Sequence, residues 1–426
     1  MTKDISEKEF ENTIGASLLQ GKYEKRLSKE HYDRKRALDT ELVIRFIKES
    51  QQEKYEELHE LKQEDTDNSI LNELEKELDL NGMLHVIRKG ISVSGVSFEL
   101  FFSKPTSKLN NETMLLYNKN ILSTINQLHY SPNNENSIDL GLFLNGIPFA
   151  TGEIKNPLTG QTFSNAIQQY KSDRDSSEKL FKFKTRALVH FAIDPNEIHY
   201  TTKINAEKTQ FFPFNQGKQY TVNNRTFTSA GNPDNSSYNT SYFWEEVLQR
   251  DSILDILANY VQYQSEQVIG EPLKESIIFP RYHQLDAVRK LEKETKLGES
   301  YLVEHSTGGG KSNTIGWLAY KLFSLFDTDG KIPIFDTILI LSDRVNIKEQ
   351  LSETIHQFEK QPGIYSDIEK TPQLIEKLGD DRKIIVSTQQ KFQYLIEKLE
   401  KRQGKNFAII IDEAHSSQSG KTAIKR

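Results

Sequence analysis

Asp139, Glu153 and Lys155 are the residues whose types and spacing most invite chemistry, in the stretches Ile138-Asp139-Leu140 and Gly152-Glu153-Ile154-Lys155. Two carboxylates held close repel each other, and a hard divalent cation such as Mg2+ relieves the repulsion while keeping waters of its own. One such water can become an attacking hydroxide, and a lysine beside it would position or deprotonate it and neutralise a phosphate. Asp139 and Glu153 are therefore candidate metal ligands and, with Lys155, candidate catalytic residues of a nuclease. The Glu-X-Lys pattern alone is cheap, since Glu60-Leu61-Lys62 and Glu294-Thr295-Lys296 match it on segments that read as helices. Strand context, a hairpin upstream and Asp139 set Glu153 apart.

A second set could bind a nucleotide. His305-Ser306-Thr307-Gly308-Gly309-Gly310-Lys311-Ser312 reads as a glycine-rich loop opening a helix. Glycines let backbone N–H groups close around phosphates, so Thr307, Gly308, Gly309 and Gly310 are candidate cradle residues. Lys311 would reach the β- and γ-phosphates, and Ser312 would ligate Mg2+. His305 stands where the strict pattern has glycine. Downstream, the apolar run Phe407–Ile411 delivers Asp412 and Glu413, the first to hold Mg2+ and the second to polarise the attacking water. Upstream, Gln284 in Arg281-Tyr282-His283-Gln284 is placed to read an adenine base. The bland alternative is a flexible loop and an unrelated acidic strand end, but three such elements in this order seldom coincide.

These residues need particular elements to hold them. Asn145-Gly146 is a strong turn signal between Ile138–Leu144 and Ile147–Lys155. Glu153 and Lys155 are two apart on a strand and share a face. A strict two-residue loop pairs Leu144 with Ile147 and sets Asp139 opposite Gly152, leaving Glu153 on the wrong face. A bulge or a third loop residue is therefore expected, to bring Asp139 opposite Glu153. Residues 36–78 show helical spacing and read as one or two helices, whereas Leu84–Ile87, Ser97–Phe102 and Ile138–Leu144 read as strands of one sheet. Residues 162–175 read as a helix, Ser229–Ser241 as an exposed loop, and Phe243–Tyr263 as a helix. Beyond Gly270-Glu271-Pro272, the preferred domain boundary, Tyr301–Val303, Thr337–Leu341, Lys383–Val386 and Phe407–Ile411 alternate with helical segments. That alternation indicates a parallel α/β sheet.

The chain has 426 residues, room for two or three domains, with 36% hydrophobic residues and no cysteine. Disulfides and Cys-based zinc sites are thereby excluded, and a reducing cytoplasm fits. No apolar run reaches a membrane span, and the polar N-terminus is no secretory signal. The formal charge of −6 does not advertise nucleic-acid binding, which needs only local positive surface. The best candidate patch is Lys22 to Arg36, whose bland reading is the solvated face of a helix.

Taken together, these residues resemble the restriction (R) subunit of type I restriction–modification enzymes. The resemblance rests on Ser137–Leu140, Leu144–Pro148, Gly152–Asn156, His305–Ser312, Ser342-Asp343-Arg344, Ser387–Phe392 and the box Asp412–His415. It implies an α/β chain with a PD-(D/E)XK-like nuclease domain over residues 1–269. A RecA-like parallel-sheet P-loop domain, the first half of a superfamily 2 translocase, would fill 270–426. The implied cofactors are Mg2+ and ATP, and the implied partners are double-stranded DNA and the methyltransferase and specificity subunits. In that family ATP drives DNA translocation and cleavage follows, with Ser342–Arg344 and Ser387-Thr388 on the DNA backbone. The family's usual glutamine four before a tyrosine is Ala166 here, before Tyr170, with Gln168 and Gln169 nearby. Ending at Arg426, the sequence reads as an N-terminal fragment with half an ATP site, for which weak nucleotide binding and negligible turnover are expected. A repair nuclease–helicase without methyltransferase partners, and an inactive or DNA- or subunit-binding remnant, stay open as alternatives.

Overall fold

The computed structural model describes residues 7–107, 110–223, 225–267, 270, 273–306, 308–343, 345–358, 364–367, 383–393 and 405–413. The chain divides into two compact units, one of Met1–Lys104 with Glu112–Tyr282, the other of Pro105–Asn111 with His283–Arg426. Both mix helices and strands.

The first unit is built on a seven-stranded sheet whose strands neighbour one another in chain order. They are β1 (Tyr23–Arg26), β2 (Leu122–His129), β3 (Ser137–Leu144), β4 (Ile147–Ile154), β5 (Val189–Ile193), β6 (Ile198–Thr201) and β7 (Phe212–Pro213). β1 runs parallel to β2, and β4 parallel to β5; the other neighbours are antiparallel. β4 is buried along its whole length, which fits its run of small and apolar residues between two neighbours. Helix α1 (Glu7–Gln20) packs against β1 and buries Phe10, Ile14 and Leu18, one apolar residue per turn.

Residues 36–78 hold three helices rather than one or two: α2 (Thr40–Ser50), α3 (Gln52–Lys62) and α4 (Thr66–Leu80). Asp39 caps α2, its Oδ1 accepting from the Leu42 amide at 3.1 Å. Leu84–Ile87, expected as strand, instead lies in α5 (Met83–Lys89), between Gly82 at φ 87° and Gly90 at φ 71°. A short, mostly apolar segment does not separate a strand from a helix. Ser97–Phe102 contributes only part of a small hairpin, Ile91–Val93 with Val96–Phe98, outside the main sheet. The 162–175 segment forms α6 (Phe163–Ser172), opened by a capping box in which Thr162 and Asn165 reciprocate. Phe243–Tyr263 is not one helix: two π turns, Phe243–Val247 and Ile256–Tyr260, flank the short helix Arg250–Asp255.

The Lys22–Arg36 patch is likewise not one helical face. It threads β1, the single-turn helix Ser28–His31 and a short hairpin, and its arginines are engaged: Arg26 with Asp39 and Glu41, Arg34 with Glu135, Arg36 with Glu75.

In the second unit α7 (Tyr282–Glu294) and α8 (Lys311–Phe323) precede a four-stranded, wholly parallel sheet. Its strands are β8 (Thr337–Ser342), β9 (Tyr365–Asp367), β10 (Lys383–Thr388) and β11 (Phe407–Ile411), in the order β9-β10-β8-β11. With α9 (Val345–Gln357), α8 supplies Ala319, Leu322, Leu351 and Ile355 to a core under Ile338, Ile340, Ile384 and Val386. Tyr301–Val303, expected as a strand, makes no ladder and is exposed. Of the boundary tripeptide, Glu271 and Pro272 lie outside the described residues. Among those residues, no helix is long and apolar enough to cross a membrane.

Candidate functional site

The β3–β4 hairpin turns at Asn145 (φ 51°) and Gly146 (φ 82°), the two positive φ values that a type I′ turn requires. A side chain could not replace Gly146, because a Cβ there would lie 2.4 Å from the Asp39 carbonyl oxygen. The loop is the strict two-residue kind, with Leu144 opposite Ile147 and Phe143 opposite Pro148. The ladder then slips, so that Leu142 faces Ala150 and Leu140 faces Gly152. Phe149 is the extra residue. One step further along this register Asp139 stands opposite Glu153, as the chemistry demanded.

The side chains converge accordingly. Asp139 Oδ2 accepts from the Ile154 amide at 2.7 Å and lies 3.7 Å from Lys155 Nζ. Asp139 Oδ1 accepts from Gln127 Nε2 at 3.1 Å. Gln127 itself has φ 50° and drops out of the β2–β3 ladder, a sparsely populated conformation beside the carboxylates. Glu153 is only 1% exposed. Burial and the neighbouring Asp139 push its carboxyl up to about 8, against the pull of Arg174 and Lys155.

Two members of this cluster escaped sequence reasoning. Arg174, just past α6, donates from Nε to Glu153 Oε1 at 2.7 Å. Glu11 on α1 is half-buried, accepts from Gln127 Nε2 at 3.4 Å, and is pushed up to about 7 by burial and by Asp139. Glu11 is one of three alternating glutamates, Glu7, Glu9 and Glu11, with nothing local to mark it. Arg174 stands four residues after Tyr170, the only spacing that hinted at it.

Tyr170 anchors α6 to the sheet beneath the cluster. Its hydroxyl lies 2.9 Å from Thr151 Oγ1, which is 2.8 Å from His190 Nδ1. All three side chains are buried, and burial pushes His190 down to about 3, so the ring is neutral. Ala166 is buried without a polar group; Gln168 turns outward to Glu207.

Asp139 and Glu153 offer hard oxygen donors on adjacent strands, the donor type Mg2+ selects. Among the described residues, no group of three or more His, Asp and Glu side chains gathers as a metal cage. A cation here would complete its shell with water and phosphate, as Mg2+ commonly does.

In the second unit, Gly308 and Gly310 both have φ 76°, and α8 starts at Lys311. A Cβ on Gly310 would lie 2.4 Å from Gln284 Nε2. Lys311 Nζ donates to Glu413 Oε1 at 2.8 Å, which raises the lysine's proton affinity. Asp412 is held up by burial and by Glu413 beside it, and its amide donates to the Leu341 carbonyl at 2.9 Å. Ser342 pairs with Thr388, so these residues collect with Asp412 at the C-terminal edge of the parallel sheet. Gln284 Nε2 donates to the Gly310 carbonyl at 2.9 Å, and His283 Nε2 lies 3.0 Å from the Gly309 carbonyl. Both side chains thus brace the glycine loop. Ser312 follows Lys311 on α8. Thr307, Arg344 and His415 lie outside the described residues.

Comparison with known families fits this layout. Residues 5–209 match the type I restriction enzyme R protein N terminus, and residues 283–425 match the SWI2/SNF2 ATPase family. The chain is 27% identical over 334 residues to the putative type I restriction enzyme MjaVIIIP endonuclease subunit of Methanocaldococcus jannaschii, covering 72% of this chain and 30% of that protein. It is 24% identical over 302 residues to the HindI endonuclease subunit of Haemophilus influenzae, covering 66% and 26%. The C-terminal part of the putative type I restriction enzyme MpnIIP endonuclease subunit, from Mycoplasma pneumoniae, is 36% identical over 126 residues, covering 28% and 56%. The chain therefore spans about a third or less of the length of the first and second of these relatives.

An R-protein N terminus joined to a SWI2/SNF2 ATPase region defines the class: restriction endonuclease subunits that carry an ATPase. The chain belongs to the type I restriction enzyme R subunits and comprises that family's N-terminal region with its ATPase portion.

Proposed function

We propose that this chain cuts double-stranded DNA with Mg2+ at Asp139, Glu153 and Lys155 and binds ATP at the Gly308–Ser312 loop. The first unit is read as a PD-(D/E)XK-type nuclease within residues 1–269, the second as the first RecA-like domain of a translocase within 270–426. The observation that carries the reading is the Phe149 bulge, because it alone puts Asp139 and Glu153 in register with Lys155 on the same face. Asp139 and Glu153 would hold the cation, which supplies Lewis acidity and an activated water when bound. Lys155, 3.7 Å from Asp139, would steady the water and the scissile phosphate.

In the second unit Lys311 would exchange Glu413 for the β- and γ-phosphates, freeing Glu413 to orient water while Ser312 and Asp412 take the Mg2+. Translocation on DNA, and assembly with methyltransferase and specificity subunits, follow from the family reading. The test is nicking of supercoiled plasmid with Mg2+ or Mn2+, beside Glu153→Ala. Nicking that is lost in the variant supports the assignment; nicking that survives it refutes the site.

A further inference from the structure

Arg174 has no part in the cleavage chemistry above, yet it occupies the centre of the site. Its side chain is 9% exposed, and both Nε and Nη2 reach the same oxygen, Oε1 of Glu153. Nη1 donates to Tyr130 Oη at 3.3 Å, with the guanidinium 5.7 Å from that ring's centre. Oε2 of Glu153 stays outside the fork. Placement by the fold is firm, because Arg174 follows α6 directly and α6 is tied to β4 through Tyr170 and Thr151.

The charges balance without a metal. With both carboxyls ionised, as a bound cation requires, Asp139 and Glu153 bring two negative charges, while Lys155 and Arg174 bring two positive ones. Glu11 stands beyond Gln127, outside this set. An arginine cannot shed its proton, so its charge is permanent. A divalent cation entering alone would add two uncompensated charges where charge is poorly screened. A phosphodiester and the hydroxide that attacks it return two negative charges and restore balance.

We propose that Arg174 is a positioning residue that makes cation binding at Asp139 and Glu153 depend on DNA, acting as the counter-cation of Glu153 until the scissile phosphate arrives. This rests on the reading of Asp139 and Glu153 as metal ligands. The consequence is a nuclease site that stays unloaded in free protein even at ample Mg2+, and loads only on its substrate.

The experiment measures Mn2+ binding to the full chain by electron paramagnetic resonance, with and without a short DNA duplex. The proteins are the unaltered chain, Arg174→Met, Arg174→Lys and Arg174→Met with Asp139→Asn. The unaltered chain is expected to bind Mn2+ at least about tenfold more tightly with duplex than without. Arg174→Met is expected to bind about tenfold more tightly than the unaltered chain when DNA is absent, and Arg174→Lys to stay near it. A purely structural arginine predicts the opposite sign, since its loss would loosen the ligands. Equal or weaker binding by Arg174→Met without DNA overturns the proposal. So does equal affinity of the unaltered chain with and without duplex, a result that needs no variant to fold. If Asp139→Asn leaves Mn2+ binding by Arg174→Met unchanged, the metal-ligand reading has failed, and the proposal falls with it.

Discussion

Replacing Thr151 by valine keeps the shape of the residue and removes the hydroxyl that joins β4 to α6. Thr151 Oγ1 sits 2.9 Å from Tyr170 Oη and 2.8 Å from His190 Nδ1, with all three groups buried. The substitution therefore orphans two polar groups at once. His190 cannot respond by charging, since burial already pushes it down to about 3. At about 1–3 kcal/mol per buried unsatisfied group, Thr151→Val should cost about 2–6 kcal/mol. Tyr170→Phe removes one bond and its own polar atom together, and should cost about 1 kcal/mol. The double variant leaves only His190 unmet, so it should cost about 1–2 kcal/mol less than the sum of the singles. The assay is urea unfolding followed by tryptophan fluorescence. The chain has two tryptophans, so Trp317→Phe leaves buried Trp244 to report the first unit alone. A cost below about 0.5 kcal/mol for Thr151→Val, or simple additivity in the double variant, would refute the reasoning.

Three further outcomes follow from the same geometry. Glu153 holds a proton in the folded chain up to about 8, against an ordinary value of 4.5. Its contribution to stability is thus full below 4.5 and lost as pH rises through 8, so Glu153→Gln should flatten that limb of a urea-midpoint profile. Superimposable profiles would contradict it. Gly310→Ala places a Cβ 2.4 Å from Gln284 Nε2 at φ 76°, and should weaken binding of a fluorescent ATP analogue at least about tenfold. Unchanged affinity would mean the loop does not cradle phosphate. Glu413→Gln frees Lys311 from its 2.8 Å partner and should keep or tighten nucleotide binding by a few fold; a marked loss of affinity would count against the proposed exchange.

The hairpin at the heart of the first unit was legible because its parts obey short-range rules. Asn145-Gly146 dictates the turn, and strand period two converts a required pairing into a required bulge. The parallel strands β8, β10 and β11 were legible for a similar reason, as short aliphatic runs spaced by helical segments. Leu84–Ile87 was misread because four residues, apolar but for His85, are too few to tell a period of two from one of 3.6; Gly82 and Gly90, which bracket the helix, were the better signal. Tyr301–Val303 is a short apolar run of β-favouring residues, but pairing depends on a neighbour that the local sequence does not encode. Arg174 and Glu11 were invisible because their meaning is tertiary. One lies past a helix and the other on a helix far away in sequence, and each matters only through contact with Glu153 or Gln127.

The two sheets end very differently. The seven-stranded sheet closes on one side with β7, a two-residue strand carrying Pro213, and on the other with β1, where Glu24, Lys25 and Arg26 supply charge. Both devices discourage another strand from adding on. Among the described residues, the outer edge of β11 has no partner strand, and its Ile409 and Ile411 are each 47% exposed. Nothing on that strand repels a newcomer: from Phe407 to Ile411 it carries no charge and no proline. When this chain is handled alone, its tendency to self-associate therefore resides in the second unit and should grow steeply with concentration. Ile409→Lys would raise its solubility while leaving the first unit untouched.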